Sequence, residues 1–260
     1  MEKDYSWKQK YEMLEQSLQN HKKQYDEVID LAAHDMDAPL RKLTLLIERL
    51  TAKYPEESKE EVKPYVQRIE TCIVEMRSMI DSLVALSKIS TINTNTFVSF
   101  DLETVVRRAE KELQQLIDST DTIITTSVLP LLCGDADQIT QLFKNLFQNA
   151  IRFTRKGVPP HIQVSAHQAT MEEIVPYGLS PVKAYYKIKV IDNGIGFNQS
   201  DAQKIFRPFV RLNGKSEFSG NGIGLAVCKR ITGNHGGVIY AESSENEGAR
   251  FIVLLPQNPL

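Results

Sequence analysis

The distribution of glycine constrains this chain more than any other feature of its sequence. All 13 glycines lie between Gly134 and Gly248, and residues 1–96 contain none. A glycine-free stretch of that length is typical of helix, because glycine inside a helix costs about 1 kcal/mol relative to alanine. The sequence therefore predicts a helical first part and a second part that contains many turns.

Apolar residues of the first part recur in alternating steps of four and three, which is the period of a coiled-coil seam. The first stripe comprises Trp7, Tyr11, Leu14, Leu18, His21, Tyr25, Val28 and Ala32. It continues as Met36, Leu40, Leu43, Ile47 and Leu50, but two successive four-residue steps after Ala32 shift its register where Pro39 interrupts the helix. The second stripe comprises Val62, Val66, Ile69, Ile73, Met76, Ile80 and Leu83. The polar segment 54–61 between them predicts a turn. Two helices that each carry one apolar stripe predict an antiparallel hairpin, which a second copy completes as a four-helix bundle.

We expect four segments along the chain. Residues 1–30 form a coiled-coil signalling helix, residues 31–90 a dimerisation hairpin, residues 91–96 a linker and residues 97–260 a globular domain. Strand-like and helix-like runs intermix in that last segment. The strand-like runs are FVSFD, TIITTSV, HIQVSAH, AYYKIKVID, VIYAES and ARFIVLLP. This mixture predicts an α+β two-layer sandwich, with a mixed sheet and helices on one side.

Composition excludes several classes of partner and location. Lys and Arg total 31 against 33 Asp and Glu, so a net charge of -2 provides no general attraction for nucleic acid or anionic membrane. Three scattered cysteines argue against a disulfide framework and favour a reducing compartment. No run approaches about 18 apolar residues, so we expect a cytoplasmic protein with no membrane span and no signal peptide.

Two glycine clusters indicate where a ligand binds. Asp192–Gly196 (DNGIG) follows a strand-like run, and Gly220–Gly224 (GNGIG) precedes a helix-like run. Glycine lets the backbone approach a ligand, and a helix N-terminus offers free N–H groups to phosphate. Either cluster alone is also compatible with a tight turn. Gly214-Lys215-Ser216 could end a P-loop, but that motif needs glycine at position 209, which is Phe209. Gly222-Ile223-Gly224 could begin a dinucleotide fingerprint, but that motif needs glycine or alanine at position 227, which is Val227. Neither motif is therefore present.

A third candidate lies in the helix-like run QLFKNLFQNAIRFT. Asn145 and Asn149 are four residues apart and share a helix face, and Arg152 lies one turn further along. The two amides could simply be exposed. Read functionally, an amide oxygen can bind Mg²⁺ and a guanidinium can contact phosphate oxygens.

These motifs, taken in order, resemble the ATP-binding domain of sensor histidine kinases. That domain is a branch of the GHKL ATPase superfamily, which also contains Hsp90 chaperones, MutL and type II topoisomerases. NLFQNAIRF at Asn145–Phe153 is similar to the N box, and DNGIG is similar to the first glycine box. IFRPFVR at Ile205–Arg211 is similar to the F box, GNGIGL at Gly220–Leu225 to the second glycine box, and HGGVIYAESSENEGARFIVLLP to the closing strands.

The resemblance implies a role for each matching residue. Asp192 would accept a hydrogen bond from the adenine amino group, and Asn149 would hold Mg²⁺. Residues 198–219 would form a mobile lid. The family more often has lysine where this chain has Arg152, so the contact made by this arginine is open. The complete implied ATP-binding set is Asn145, Asn149, Arg152, Asp192, Gly194, Gly196, Arg211, Gly220, Gly222, Gly224 and Leu225.

The phosphoacceptor is expected in the first part. His34 lies in LAAHDMDAPLR, which resembles the H box of the same kinases. His34 lies off the apolar seam and a carboxylate follows it, so Asp35 can polarise one ring nitrogen while the other attacks phosphorus. The remaining histidines are interpreted as structural or incidental.

Position 145 separates phosphoryl transfer from hydrolysis. GHKL members that hydrolyse ATP have glutamate there, whereas the amide of Asn145 cannot take up a proton. We therefore expect autophosphorylation of His34, then transfer to an aspartate of a response regulator receiver domain. Ala38, where related kinases have Thr or Asn, predicts weak or no phosphatase activity.

Alternatives and further partners remain open at this stage. The chain could be a GHKL-type ATPase or chaperone-like module, or a catalytically inactive, nucleotide-binding dimeric scaffold. We also expect an upstream sensor domain, which this chain lacks, in front of the signalling helix. The sequence assigns no role to residues 168–182.

Overall fold

The computed structural model describes Met36 and residues 39–49, 56–88, 97–212 and 222–258. The chain divides into two units, Met1–Thr91 and Ile92–Leu260. Several predictions concern residues outside the described ranges. They are the coiled coil (residues 1–30), the linker (91–96) and the roles of His34, Asp35, Ala38 and Gly220. Within the described ranges, no helix combines the length and hydropathy that crossing a membrane requires.

The first unit contains two described helical segments, α1 (residues 39–49) and α2 (Glu56–Lys88). Their buried apolar side chains pack together and come from both predicted stripes: Leu40, Ile47, Val66 and Ile73. Val62 and Ile80 of α2 pack against this cluster. The stripes therefore meet as expected over the described residues, which agrees with part of the predicted hairpin.

The start of α2 corrects the prediction of a turn at residues 54–61. α2 begins at Glu56, so six of those eight residues are helical. Four glutamates lie in this stretch, and negative charge near a helix N-terminus is stabilising because the free N–H groups there carry partial positive charge. The polar composition therefore marks the first turns of a helix, which then continues through Pro64.

The second unit is an α+β sandwich. Its elements are, in chain order, β1 (Val98–Asp101), α3 (Leu102–Glu112), α4 (Gln114–Ser119), β2 (Ile123–Thr126), β3 (Leu131–Gly134), α5 (Ala136–Arg152), β4 (His161–Gln168), α6 (Met171–Ile174), β5 (Tyr185–Asp192), α7 (Gly224–Asn234), β6 (Val238–Ser243) and β7 (Ala249–Pro256). The main sheet has the order β2-β4-β5-β7-β6, and β1 pairs with β3 in a separate sheet. β2 and β4 are parallel and the other pairs are antiparallel, so the main sheet is mixed, as predicted.

The main helices form the second layer. α5 packs between α3 and α7 and contacts β4, while α7 contacts β6 and β7. The apolar positions of α5 recur with the helical period and supply much of the core: Ile139, Leu142, Phe143, Leu146 and Phe147 are almost fully buried. The sequence run QLFKNLFQNAIRF therefore places its apolar side chains inward and leaves the face with the two asparagines towards α7.

Residues 168–182 have a structural role that the sequence did not reveal. α6 and the 3-10 turn Val175–Tyr177 follow β4, and Ile174 is buried against Tyr185 and Leu254. Tyr177 stacks on Tyr240, with ring centroids 4.4 Å apart. Side chains alternate along a strand, so this segment covers the sheet face that Tyr185 and Leu254 share, opposite to Ile188.

Candidate nucleotide site

The site begins with α5, whose start is defined by Asp135. The Asp135 carboxylate accepts hydrogen bonds from the N–H groups of Asp137 and Gln138, both at 3.1 Å. An N-cap of this kind satisfies donors that otherwise have no partner in the first turn. From this fixed start, the helical period brings Asn145 and Asn149 to one face of α5.

The amide of Asn145 joins α5 to the start of α7. Its Nδ2 donates to the carbonyl oxygen of Gly224 at 3.2 Å, and its Oδ1 accepts from Gln141 Nε2 at 2.9 Å. A Cβ placed on Gly224 would lie 3.8 Å from the Asn145 side chain and 4.0 Å from Asn149 Nδ2. The predicted N box and the second glycine box are therefore in contact, although 79 residues separate Asn145 from Gly224.

Asn149 differs from Asn145 in what its amide does. Asn145 is buried with both ends of its amide bonded, whereas Asn149 is half-buried and its side chain makes no hydrogen bond to the described residues. Its oxygen can therefore accept a ligand. No side chain of the described residues caps the start of α7 at Gly224, and the first N–H groups of a helix have no partner within the helix, so they face the region beside Asn149.

Asp192 is the last residue of β5. Its Oδ1 accepts hydrogen bonds from Gly194 N at 2.8 Å and Ala249 N at 3.1 Å. Burial raises the pKa of Asp192, and these two backbone hydrogen bonds oppose that rise because they favour the charged form. Its Oδ2 accepts no hydrogen bond from the described residues, so this oxygen can accept one from a ligand.

The loop after Asp192 is too closely packed for any side chain at its two glycines. A Cβ on Gly194 would lie 2.5 Å from the carbonyl oxygen of Phe153, at the end of α5. Gly196 has φ +64°, and a Cβ there would meet the backbone of the turn between β6 and β7. The first glycine box thus contacts both the N box and the closing strands.

Arg152 lies in the last turn of α5, and its charge interacts with that of Arg211. Partial burial, followed by the charge of Arg211, lowers the pKa of Arg152. A guanidinium group has the charge and the planar donor geometry that suit contacts with phosphate oxygens.

The predicted F box meets the second glycine box. Phe209 N donates to the carbonyl oxygen of Gly222 at 3.0 Å, and a Cβ on Gly222, whose φ is +66°, would lie 2.8 Å from the carbonyl oxygen of Val210. Ile205 and Phe206 are buried. The half-buried Leu225 follows Gly224 in the first turn of α7.

The predicted site residues therefore form connected groups in the second unit. Asn145 and Asn149 lie beside the start of α7, at Gly224 and Leu225. Gly194 and Gly196 follow Asp192 in the same loop, and Gly222 contacts the F box. The charges of Arg152 and Arg211 interact. Sequence reasoning missed residues that support these groups. They are Gln141, Arg155, Ser243, Gly248 and Ala249. Gly248 could have been noticed as the glycine between the last two strand-like runs, whereas the other four residues carry no local signal.

Comparison with known proteins agrees with this geometry. Residues 134–259 match the family described as histidine kinase-, DNA gyrase B-, and HSP90-like ATPase. The chain is 31% identical over 226 residues to cyanobacterial phytochrome A of Nostoc sp., covering 87% of this chain and 28% of that protein. It is 28% identical over 265 residues to sensor histidine kinase ZraS of Escherichia coli O157:H7, covering 97% of this chain and 52% of that protein.

The chain belongs to the sensor histidine kinase family. It spans less than a third of the length of the phytochrome and about half that of ZraS. The solved catalytic domain of histidine kinase ThkA is 25% identical, with a TM-score of 0.50, and the match covers 63% of this chain and 97% of that one. The complex of ThkA with the response regulator protein TrrA shares the fold, with a TM-score of 0.59 at 18% identity, covering 99% of this chain and 69% of that one.

The second unit of this family member has polar groups that can bind a nucleotide. Asp192 Oδ2 and the Asn149 amide are both available as acceptors, and they belong to the groups that contact the two glycine boxes. ATPase domains of this family bind ATP. Neither a P-loop nor a dinucleotide fingerprint is required, because the glycines act through close backbone approach.

Proposed function

We propose that this protein phosphorylates itself on His34 with ATP and passes the phosphoryl group to an aspartate of a response regulator receiver domain. The observation that carries the proposal is the contact between Asn145 and Gly224. It supports a site in which the start of α7 faces the Asn149 side chain. Family membership and the complex of ThkA with its response regulator protein support the same reaction class.

In this proposal each polar group of the site acts on one part of the nucleotide. Asp192 accepts a hydrogen bond from the adenine amino group, beside Gly194 and Gly196. The backbone of Gly220, Gly222 and Gly224, with Leu225, approaches the phosphates. Arg152 and Arg211 neutralise charge on the phosphate oxygens. Asn149 would hold a Mg²⁺ ion, which prefers oxygen ligands and supplies charge neutralisation for the triphosphate.

The position of Asn145 favours transfer over hydrolysis. Its amide is occupied at both ends by Gln141 and Gly224, so it neither accepts a proton nor orients a water as a carboxylate would. The γ-phosphoryl group therefore reacts with the better nucleophile. A ring nitrogen of His34 attacks the γ-phosphorus, the bond from that phosphorus to the bridging oxygen breaks, and ADP leaves with the electron pair. Asp35 polarises the N–H of the other ring nitrogen.

The first unit would provide a dimer. Within it, Leu40 and Ile47 are buried, whereas Leu43, Leu46 and Ile69 are about half exposed on the same two helices. Exposed leucine and isoleucine side chains along a helix pair favour association with a second copy into a four-helix bundle. We retain as proposals the segments 1–30, 31–90, 91–96 and 97–260, a cytoplasmic location and an upstream sensor domain.

The experiment that tests the proposal is labelling with γ-labelled ATP and Mg²⁺. Wild-type protein should acquire a label that is labile in acid and stable in alkali, which indicates a phosphoramidate on histidine. His34→Gln should acquire none, whereas His21→Gln, on the predicted seam, should label normally and serves as the matched control. Asn149→Ala and Asp192→Ala should lose labelling with His34 intact. Release of inorganic phosphate without protein label would instead indicate an ATPase, and nucleotide binding without either product would indicate an inactive scaffold.

We also propose that phosphatase activity is weak or absent, because the methyl group of Ala38 cannot orient a water. The decay of a phosphorylated response regulator should be unchanged by wild-type protein and faster with Ala38→Thr. Many-fold acceleration by the wild type, unaltered in Ala38→Thr, would contradict the proposal.

A further inference from the structure

A chain of hydrogen bonds leads from the Asp192 carboxylate to the backbone of Phe197. Ala249 N donates to Asp192 Oδ1 at 3.1 Å. The carbonyl oxygen of Gly248, which belongs to the same peptide group as that N–H, accepts from Ser243 Oγ at 2.6 Å. Ser243 Oγ in turn accepts from Phe197 N at 2.9 Å. One hydroxyl group therefore connects the two backbone segments that surround Asp192.

The peptide between Gly248 and Ala249 has little freedom to adjust. Gly248 has φ +81°, and a Cβ there would collide with the carbonyl oxygen of Asp192 at 2.0 Å. The peptide is thus pressed against the strand that carries the carboxylate. Hydrogen bonds that share one peptide group polarise each other, so a donor on its carbonyl strengthens the N–H bond to the carboxylate. The Ser243 hydroxyl is that donor.

Gln199 supports Ser243 from the edge of the sheet. β6 is an edge strand, and its outer backbone groups are bonded by the Gln199 side chain. Gln199 Nε2 donates to the Ala241 carbonyl oxygen at 3.2 Å, and Gln199 Oε1 accepts from Ser243 N at 2.9 Å. The amide therefore takes the place of a neighbouring strand over these two residues. This pairing holds the backbone of Ser243 where its hydroxyl lies between residues 197 and 248.

We propose that Ser243 is a positioning residue for adenine recognition, acting on Asp192 through the peptide between Gly248 and Ala249, and that Gln199 holds Ser243 in register. The inference rests on the proposed function, in which Asp192 binds the adenine amino group. Guanine presents a carbonyl oxygen where adenine presents that amino group, so a firmly oriented carboxylate binds adenine more tightly than guanine. A carboxylate that has lost its orientation discriminates less between the two bases.

The test is the binding of Mg-ADP and Mg-GDP to the full chain, measured by calorimetry. Ser243→Ala should raise the Kd for ADP about tenfold, which is a loss of about 1.4 kcal/mol and within the range for a single hydrogen bond. The Kd for GDP should change by less than about twofold, since the lost interaction concerns the adenine amino group. Ser243→Thr keeps the hydroxyl and should restore most of the ADP affinity. Ser244→Ala, at the exposed neighbouring position, is the matched control and should bind as the wild type does.

Gln199 variants test the support at the sheet edge. Gln199→Ala should weaken ADP binding about threefold, because its bonds are more exposed than those of Ser243. Gln199→Glu keeps the acceptor for Ser243 N but places a carboxylate beside the Ala241 carbonyl oxygen, so it should bind no better than Gln199→Ala at neutral pH.

Hydrogen exchange separates this inference from the proposed function. The Phe197 amide should exchange about tenfold faster in Ser243→Ala, whereas Asp192→Ala should lose ADP binding with the Phe197 amide still protected. Wild-type protein that binds no nucleotide would refute the proposed function, and exchange at Phe197 would still report whether the hydroxyl holds the loop. Unchanged exchange in Ser243→Ala, an equal loss of ADP and GDP affinity, or a Ser243→Thr variant as weak as Ser243→Ala would overturn the positioning role.

Discussion

Replacing Gly134 with alanine should destabilise the second unit, because the new methyl group would collide with the ring of His235. A Cβ at this position would lie 2.5 Å from Cδ2 and 2.8 Å from Nε2 of that histidine. The ring is only 2% exposed and cannot move aside freely. Its Nε2 accepts from Asp135 N at 3.0 Å, its Nδ1 bonds the Ile231 carbonyl oxygen at 2.8 Å, and it stacks on Phe97 at 4.9 Å.

The magnitude follows from these contacts. Overpacking of this kind costs about 1–3 kcal/mol, and displacing the ring would weaken two hydrogen bonds worth about 1 kcal/mol each, so we expect a loss of about 2–3 kcal/mol. His235→Ala loses both hydrogen bonds and the stacking and opens a cavity, for which we expect about 4 kcal/mol. In the His235→Ala background, the methyl group that Gly134→Ala adds has room, so the loss of unfolding free energy caused by Gly134→Ala should fall below about 0.5 kcal/mol.

Urea denaturation of the full chain, followed by circular dichroism, measures all four members of this double-mutant cycle. Gly233→Ala is the matched control, because no atom lies within 4 Å of its added Cβ and the residue is inside α7. It should stabilise the protein by up to about 1 kcal/mol, since alanine is the better helix former. Additive effects of Gly134→Ala and His235→Ala, within about 0.5 kcal/mol, would refute the reasoning.

Three further predictions concern titratable groups. Burial lowers the pKa of His235, so the unfolded chain takes up a proton first, and stability should fall as the pH drops below about 6.5. Urea midpoints check this, and His235→Ala with an equally steep decline would contradict it. Burial alone would raise the pKa of Glu173, but hydrogen bonds led by that from Lys187 lower it to about 2. The stability that ionised Glu173 contributes to the folded protein should therefore be complete above about pH 4.5 and lost as the pH falls towards 2. Glu173→Gln should make the stability decline less steeply over this range in the same assay. Burial raises the pKa of Cys228 to about 12, so iodoacetamide should label the exposed Cys72 but not Cys228 in folded protein, which mass spectrometry would show. Labelling of both at equal rates would contradict it.

Local sequence patterns predicted most elements of the second unit. The predicted run at 238–243 is β6 and the run at 249–256 is β7, and the helix-like run around Asn145 is α5. β3 was missed because Leu131–Gly134 is too short to show alternation and pairs with β1 more than 30 residues earlier. The helix-like run LETVVRRAEKELQQLI at residues 102–117 predicts a single helix, but the structure has two helices, α3 and α4, separated at Leu113.

The candidate site was predictable where one local motif carries the chemistry. Asp192, Gly194 and Gly196 are consecutive or nearly so, and Asn149 follows Asn145 at the helical spacing, so each group is visible in a few residues of sequence. Roles that depend on contacts between groups were not visible. The same amide type is buried and bonded at both ends at Asn145 but available at Asn149. Gln141 of α5 supplies one partner of Asn145, and the approach of α7 supplies the other.

The sequence by itself determined the helices described in the first unit, the mixed sheet with its layer of helices, and the family motifs, because periodicity and glycine clusters act over a few neighbouring positions. Only the tertiary structure decided that Ser243 reaches Asp192 through the peptide after Gly248, that His235 leaves no space for a side chain at Gly134, and that residues 168–182 cover one face of the sheet. Contacts such as those between Asp192 and Ala249 or between Gly134 and His235 join residues that are distant in the chain, and their existence depends on how the strands and helices pack.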